Sequence, residues 1–258
     1  MSPPLAASRT NTTPNSVVTV PVKTRYTKGV DTTGWLHVKL EPSGEAGYLP
    51  EFVKVQISKV AERTYFLIRE GRYKGQLASL KTENAAKCLV DVKRGAGAKL
   101  VAKMGPGYQE LFSKPKNETN KQLISTLAFD GKTATITLDS DVRFKETNKA
   151  SPYWDQWLQS KPLPKGVYKI LAPESAKDAR FTGFYRTEPG GHADLKYDTV
   201  WFPIEYAKTF NSNFVHVGNL SERCVTMYEL GKWNSLYAYL ISNRLDAEGK
   251  YVGTITIE

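Results

Sequence analysis

The sequence predicts a mainly β protein with a few helices: a small β-rich domain, then a β-sandwich or barrel with one long helix after a candidate nucleophile. Three observations lead there. Short runs of β-branched and aromatic residues recur along the chain, separated by turn clusters such as KGVDTTG, EPSGEAG and REGRYKG. The 258 residues are 40% hydrophobic and 24% charged, which fits a globular chain of one large domain or two modest ones. In the second half, only the segment after Cys224 keeps helical spacing long enough for an extended helix.

Residues 1–16 read as a flexible leader without the apolar core of a secretory signal. No run of about 18 apolar residues occurs, so no transmembrane segment is expected. Residues 17–110 form the expected basic β-rich accessory domain, with SVVTVPV, WLHVKL, FVKVQIS, RTYFLIR, CLVDV and KLVAKM as strands. The Gly- and Pro-rich GPGYQELFSKPKNETNKQ, residues 105–122, is the expected boundary. The second domain spans 122–258. LISTLAFDGKTATITLD is a hairpin turning at Asp130-Gly131, and SPYWDQWLQS is a short helix opened by Ser151 and Pro152. GVYKIL, FTGFYRT, DTVWFPI and NFVHVG follow as strands. Leu230, Trp233, Tyr237, Leu240 and Ile241 make one apolar stripe, and Thr226 with Glu229 form a capping box, so the long helix should begin just after Thr226. KYVGTITIE closes the domain as a strand.

Charge divides the chain unevenly. Residues 1–121 hold 20 Lys and Arg against 10 Asp and Glu, whereas residues 122–258 hold 16 of each. The basic half suits an anionic polymer such as nucleic acid, anionic lipid or an acidic wall polymer; a plain solubilising surface is the alternative. Two cysteines, Cys88 and Cys224, exclude a disulfide framework, and with three histidines at no close spacing they argue against a structural zinc site.

Chemistry concentrates at Cys224. The expected helix start would place it at the positive end of the helix dipole, beside Arg223, where a thiolate is stabilised. His216 ends a predicted strand eight residues upstream, near enough to serve as its base, and N–H groups around Cys224 could bind an oxyanion. Elsewhere, His37 alternates with apolar neighbours as a sheet-surface residue, and Cys88 reads as a buried structural thiol. Trp154 and Trp157 are expected to pack a helix on the sheet or to form an aromatic lip.

The segment NFVHVGNLSERCVTM resembles the catalytic signature of the L,D-transpeptidase (YkuD-like) family, through His216, Gly218, Ser221, Cys224, Val225 and Met227. KPLPKGVYKI, with Pro164, Gly166 and Tyr168, resembles that family's strand entrance. DTVWFPIEY, with Trp201 and Pro203, resembles its strand before the histidine. The resemblance covers about residues 122–258. It implies a YkuD-like β-sandwich or barrel and a bacterial cell-envelope or periplasmic enzyme. That enzyme attacks a peptidoglycan stem peptide, forms a thioester, and passes the acyl group to an amine or to water without a cofactor. Cys224 is then the nucleophile, His216 the base and Ser221 an orienter. Arg223 and Gly218 shape the oxyanion and substrate region. Trp201, beside the proposed active strand, reads as core or cleft lining, and His192, in a Gly-rich loop, as cleft lining or an ordinary exposed loop histidine. Two departures stand out: Arg223 occupies the family's glycine position, and the His-to-Cys gap is short. They leave two alternatives, a YkuD-like binding or scaffold protein with altered chemistry, and an enzyme of the same fold acting on another amide.

Overall fold

The computed structural model describes residues 23–206, 213–245 and 248–258; the leader and SVVTVPV lie outside them. The described chain is mainly β with few helices. A seven-stranded antiparallel sheet comes first. Its strands are β1 (Lys23–Thr27), β2 (Trp35–Glu41), β3 (Ala46–Pro50), β4 (Lys54–Val60), β5 (Arg63–Ile68), β6 (Leu77–Lys81) and β7 (Leu89–Val90), in the order β3-β2-β6-β5-β4-β1-β7. Period-2 alternation sends Leu36, Val38, Val55, Phe66 and Ile68 into one apolar core. A short helix α1 (Thr82–Cys88) covers it, so Cys88 is a buried helix-end thiol and the expected strand CLVDV shrinks to β7.

The second sheet holds β8 (Ala98–Lys103), β9 (Tyr108–Ser113), β10 (Glu118–Phe129) and β11 (Lys132–Thr137). After the small hairpin β12 (Arg143–Lys145) and β13 (Trp157–Gln159), it continues with β14 (Gly166–Leu171), β15 (Phe202–Glu205), β16 (Asn213–Val217), β17 (Val225–Met227) and β18 (Tyr251–Ile257). Because β10 pairs with β8 on one side and β11 on the other, the order β10-β11-β17-β16-β15-β14-β18-β8 closes on itself as an eight-stranded barrel. Closure removes the exposed strand edges of these eight strands. Leu100, Leu127, Ile136, Ile170, Phe202, Val215, Val225 and Ile255 fill the core, and helix α3 (Trp233–Ser242) packs Trp233, Leu236, Tyr237, Leu240 and Ile241 onto it.

Four expectations are corrected. The change of sheet falls between Val90 and Ala98, ahead of the expected boundary: β8 belongs to the barrel, and residues 105–122 form the β9–β10 hairpin, turned by Asn117 at φ 51°. SPYWDQWLQS is a tight turn leading into β13, because Asp155 takes φ 65° and its N–H donates to Glu146 O, which a helix could not allow. FTGFYRT is helical rather than extended: the Asp178 carboxylate accepts the Arg180 N–H, and a short helix α2 (Phe184–Thr187) follows. The long helix starts at Trp233 instead of after Thr226, because Val225–Met227 are taken by the barrel. The hairpin at Asp130-Gly131 is as expected, both residues having positive φ.

The two sheets meet closely. Trp35 of β2 lies in the barrel's core, and the Tyr237 hydroxyl donates to Glu51 at 2.9 Å. Arg94, on the segment joining the sheets, clamps Glu70 with two hydrogen bonds of 2.7 and 2.9 Å.

Candidate active site

β16 and β17 are parallel neighbours, pairing Val215 with Val225, His216 with Thr226 and Val217 with Met227. The valines and Met227 point into the barrel core. Alternation therefore puts His216, Thr226 and Cys224 on the outer face. Continuing that register sets Cys224 beside Phe214, whose backbone N–H donates to the Cys224 sulfur. From strand spacing and rise, the Cα atoms of Cys224 and His216 stand about 8 Å apart on one face.

Here the expected helix-dipole activation fails. Residues 225–227 are strand, and the Glu229 carboxylate accepts the Thr135 N–H instead of closing a capping box. Two buried ladders, β11–β17 and β16–β17, outweigh a local capping preference. Thr226 instead becomes a partner of the histidine.

The imidazole is tightly fixed. Its Nδ1 lies 2.9 Å from Val217 O, which can only accept, so Nδ1 carries the proton of the neutral ring. Nε2 is then an acceptor, 3.1 Å from the Thr226 hydroxyl, and that hydroxyl also lies 3.3 Å from Leu220 O. The Trp201 indole stacks on the ring at 4.1 Å between centroids. The His216 pKa is lowered to about 4 by burial, the largest cause, with the Val217 carbonyl partly opposing and Lys177 adding to the lowering. Burial likewise pushes the Cys224 thiol up to about 12, partly opposed by the Phe214 N–H and Lys177. The resting pair is therefore a neutral thiol and a neutral imidazole.

Four expected residues surround the pair. Arg223 takes φ 73°, a left-handed backbone that glycine adopts without strain, and its carbonyl accepts from Asn213 Nδ2 at 2.8 Å. Among the described residues, neither the Arg223 nor the Cys224 backbone N–H donates a hydrogen bond. Gly218 has φ 153°, and a Cβ there would stand 3.3 Å from the Tyr185 ring and 3.4 Å from Thr226. Ser221 is fully buried; its hydroxyl donates to Cys224 O at 2.6 Å and its N–H to Ser140 Oγ at 2.8 Å. It braces the loop entering Cys224 and makes no bond to the imidazole.

Cys224, His216, Arg223, Gly218 and Trp201 line one cavity of about 860 Å³. Ser221 lies behind its wall. His192 does not reach it, lining a separate hollow with Asn219 and Tyr228. β12 and β13 line the cavity, where Trp157 of β13 is 61% exposed; Trp154, in the turn before β13, is 52% exposed and is not among the lining residues, so neither packs a helix on the sheet.

Sequence reading missed Lys177. Its ammonium sits 4.2 Å from the Phe214 ring centroid and 5.5 Å from that of Trp201, half-buried; burial lowers its pKa, and Cys224 partly opposes that. No motif marks such a loop lysine. Lys116, Arg143, Lys145, Lys177 and Arg223 outnumber Glu146 and Glu222 in the lining, which gives the cavity a positive bias. Compared with known proteins, the chain matches no family model, no curated protein and no solved structure.

Proposed function

We propose that the protein is a cysteine acyl-transfer enzyme of L,D-transpeptidase type, acting on peptidoglycan stem peptides in the bacterial cell envelope. The observation that carries this reading is the placement of Cys224 and His216 on one strand face, at the floor of a large electropositive cavity, beside two backbone N–H groups that have no hydrogen-bond partner among the described residues.

The chemistry follows from the resting protonation. A thiol held near 12 is not a preformed thiolate, so its proton leaves as the sulfur attacks the substrate carbonyl. His216 Nε2 receives it once the Thr226 hydroxyl turns its own proton to Leu220 O. The Arg223 and Cys224 N–H groups face the developing oxyanion. Collapse expels the terminal amino acid as an amine, protonated by His216, and leaves a thioester on Cys224. An acceptor amine, or water, then attacks with its proton returning to His216, and the thiol is restored. The basic first sheet supplies contact with an anionic wall polymer.

The test is incubation of wild type and Cys224→Ala with defined muropeptides, followed by mass spectrometry of the products. Loss of the terminal D-Ala, its exchange or a cross-link in wild type alone supports the reading. A specific observation favours a second one: the thiol is protonated and bonded to a backbone N–H rather than to the imidazole. That fits a binding protein on the same frame, which would hold muropeptides equally well in both forms and turn over none.

A further inference from the structure

We propose that the hollow beside the Cys224 cavity, walled by Ser113, His192, Asn219 and Tyr228, is a subsite for a sugar ring. It holds about 370 Å³, a size that suits a small ligand. The hollow and the cavity share a wall. Gly218 and Leu220 line the cavity while Asn219 between them lines the hollow, and Lys116 lines the cavity while Lys114 and Pro115 line the hollow.

Two buried oxygens in these walls are unmatched. Ser113 is 4% exposed and Asn219 6%, yet neither Ser113 Oγ nor Asn219 Oδ1 has a hydrogen-bond partner among the described residues. Buried polar groups left unbonded are costly and rare, so the pair points to a ligand. The rest of Asn219 is fixed. Its N–H donates to the Tyr185 hydroxyl at 2.7 Å, its carbonyl accepts from Gln122 Nε2 at 2.6 Å, and its side chain bonds the Tyr228 hydroxyl. Because Oδ1 is the unbonded atom, Nδ2 makes that last bond, and the Tyr228 hydroxyl keeps its own proton to donate. Neither unmatched oxygen is open to solvent, so a ligand reaches them as a neighbouring side chain moves. Lys114 is that side chain: it is exposed, its stem lies over Gly190, and it has no ion pair among the described residues.

The chemistry of the walls selects the ligand. Asn219 Oδ1 can only accept, the Ser113 and Tyr228 hydroxyls can donate, and an imidazole such as that of His192 carries both functions in its neutral form. Donors and acceptors side by side match ring hydroxyls, each of which donates and accepts at once. No carboxylate lines the hollow, so nothing in it selects a cation. Phe112, 54% exposed, with Pro115 and Leu230 supplies the apolar surface that the C–H face of a sugar requires. A peptide carried on that sugar enters the Cys224 cavity over the shared wall; this source, the glycan strand of peptidoglycan, is the one step that rests on the proposed function.

The experiment titrates the full wild-type chain with N,N′-diacetylchitobiose, N-acetylglycinamide and inorganic phosphate. The His192 ring signal, identified by its loss in His192→Gln, is followed by NMR. The disaccharide is expected to shift it saturably while the His37 signal stays unmoved, and the other two probes should leave both in place. Ser113→Ala removes an unbonded hydroxyl, so it should melt no lower than wild type yet weaken the disaccharide about three- to tenfold. Absence of a saturable shift overturns the proposal, since water alone then serves the hollow. The amide or phosphate binding as tightly as the disaccharide also overturns it, in favour of a peptide or an anion. So does unchanged affinity in Ser113→Ala. The comparison of probes needs no variant, so a protein that fails to fold does not shelter the proposal. Muropeptide turnover without disaccharide binding removes the subsite and leaves the enzyme; disaccharide binding without turnover leaves the subsite and removes its assigned source.

Discussion

Replacing Arg223 with glycine should stabilise the protein. An L-residue in the left-handed region costs about 1–2 kcal/mol, and Arg223 sits there at φ 73°. Glycine removes that cost but adds about 0.5–1 kcal/mol of chain entropy lost on folding. The difference leaves a gain of about 0.5–1 kcal/mol. In a chain of this size that raises the Tm by about 1–4 °C. The Asn213 bond to the carbonyl at 223 and the N–H groups at 223 and 224 belong to the backbone and survive the change. Thermal and urea unfolding of wild type and Arg223→Gly measure the effect. A fall in Tm would refute the reasoning, because it would mean that the guanidinium contributes more than its backbone conformation costs.

Three further outcomes follow from the same geometry. The His216 pKa is lowered from 6.5 to about 4, so below pH 6.5 the unfolded chain binds the extra proton and stability falls as pH drops toward 4. The full loss is about 3 kcal/mol, and urea unfolding of His216→Gln between pH 4 and 7 should show a correspondingly flatter acid limb. With the thiol raised from 9.0 to about 12, Cys224 in the free protein should alkylate about a thousandfold more slowly than an exposed thiol near neutral pH. Peptide mapping of iodoacetamide adducts checks this, and fast labelling would contradict it. Lys177 lowers the thiol pKa, so Lys177→Met should slow that alkylation further while Lys177→Arg preserves it; equal rates in all three would remove Lys177 from the site.

Much of the barrel was legible because its strands carry their own signals. Asp130-Gly131 announces a hairpin, and the apolar stripe from Trp233 to Ile241 announces a helix whatever lies before it. The helix start was misread because Thr226 and Glu229 have a capping spacing, yet Val225, Thr226 and Met227 are buried between two strands, and that burial decides. The same misreading supplied a helix dipole for Cys224 that the structure does not have. His216 and Cys224 were found from residue type and spacing, and parallel pairing of their strands explains how a short gap still brings them to one face. For His192 the sequence left cleft lining and an ordinary loop position both open, because a Gly-rich loop carries no periodicity to fix its direction; it lines a separate hollow. Lys177, Tyr185 and the β12–β13 hairpin reach the cavity only through the tertiary fold, which no local pattern encodes.

The most direct measurement is the intact mass of the protein after brief mixing with a tetrapeptide muropeptide. Wild type should gain the mass of the acyl fragment lacking D-Ala, mapped to Cys224 and released by hydroxylamine, and Cys224→Ala should gain nothing. A muropeptide bound without any covalent adduct on Cys224, under conditions where wild type is saturated, would contradict the proposed nucleophile.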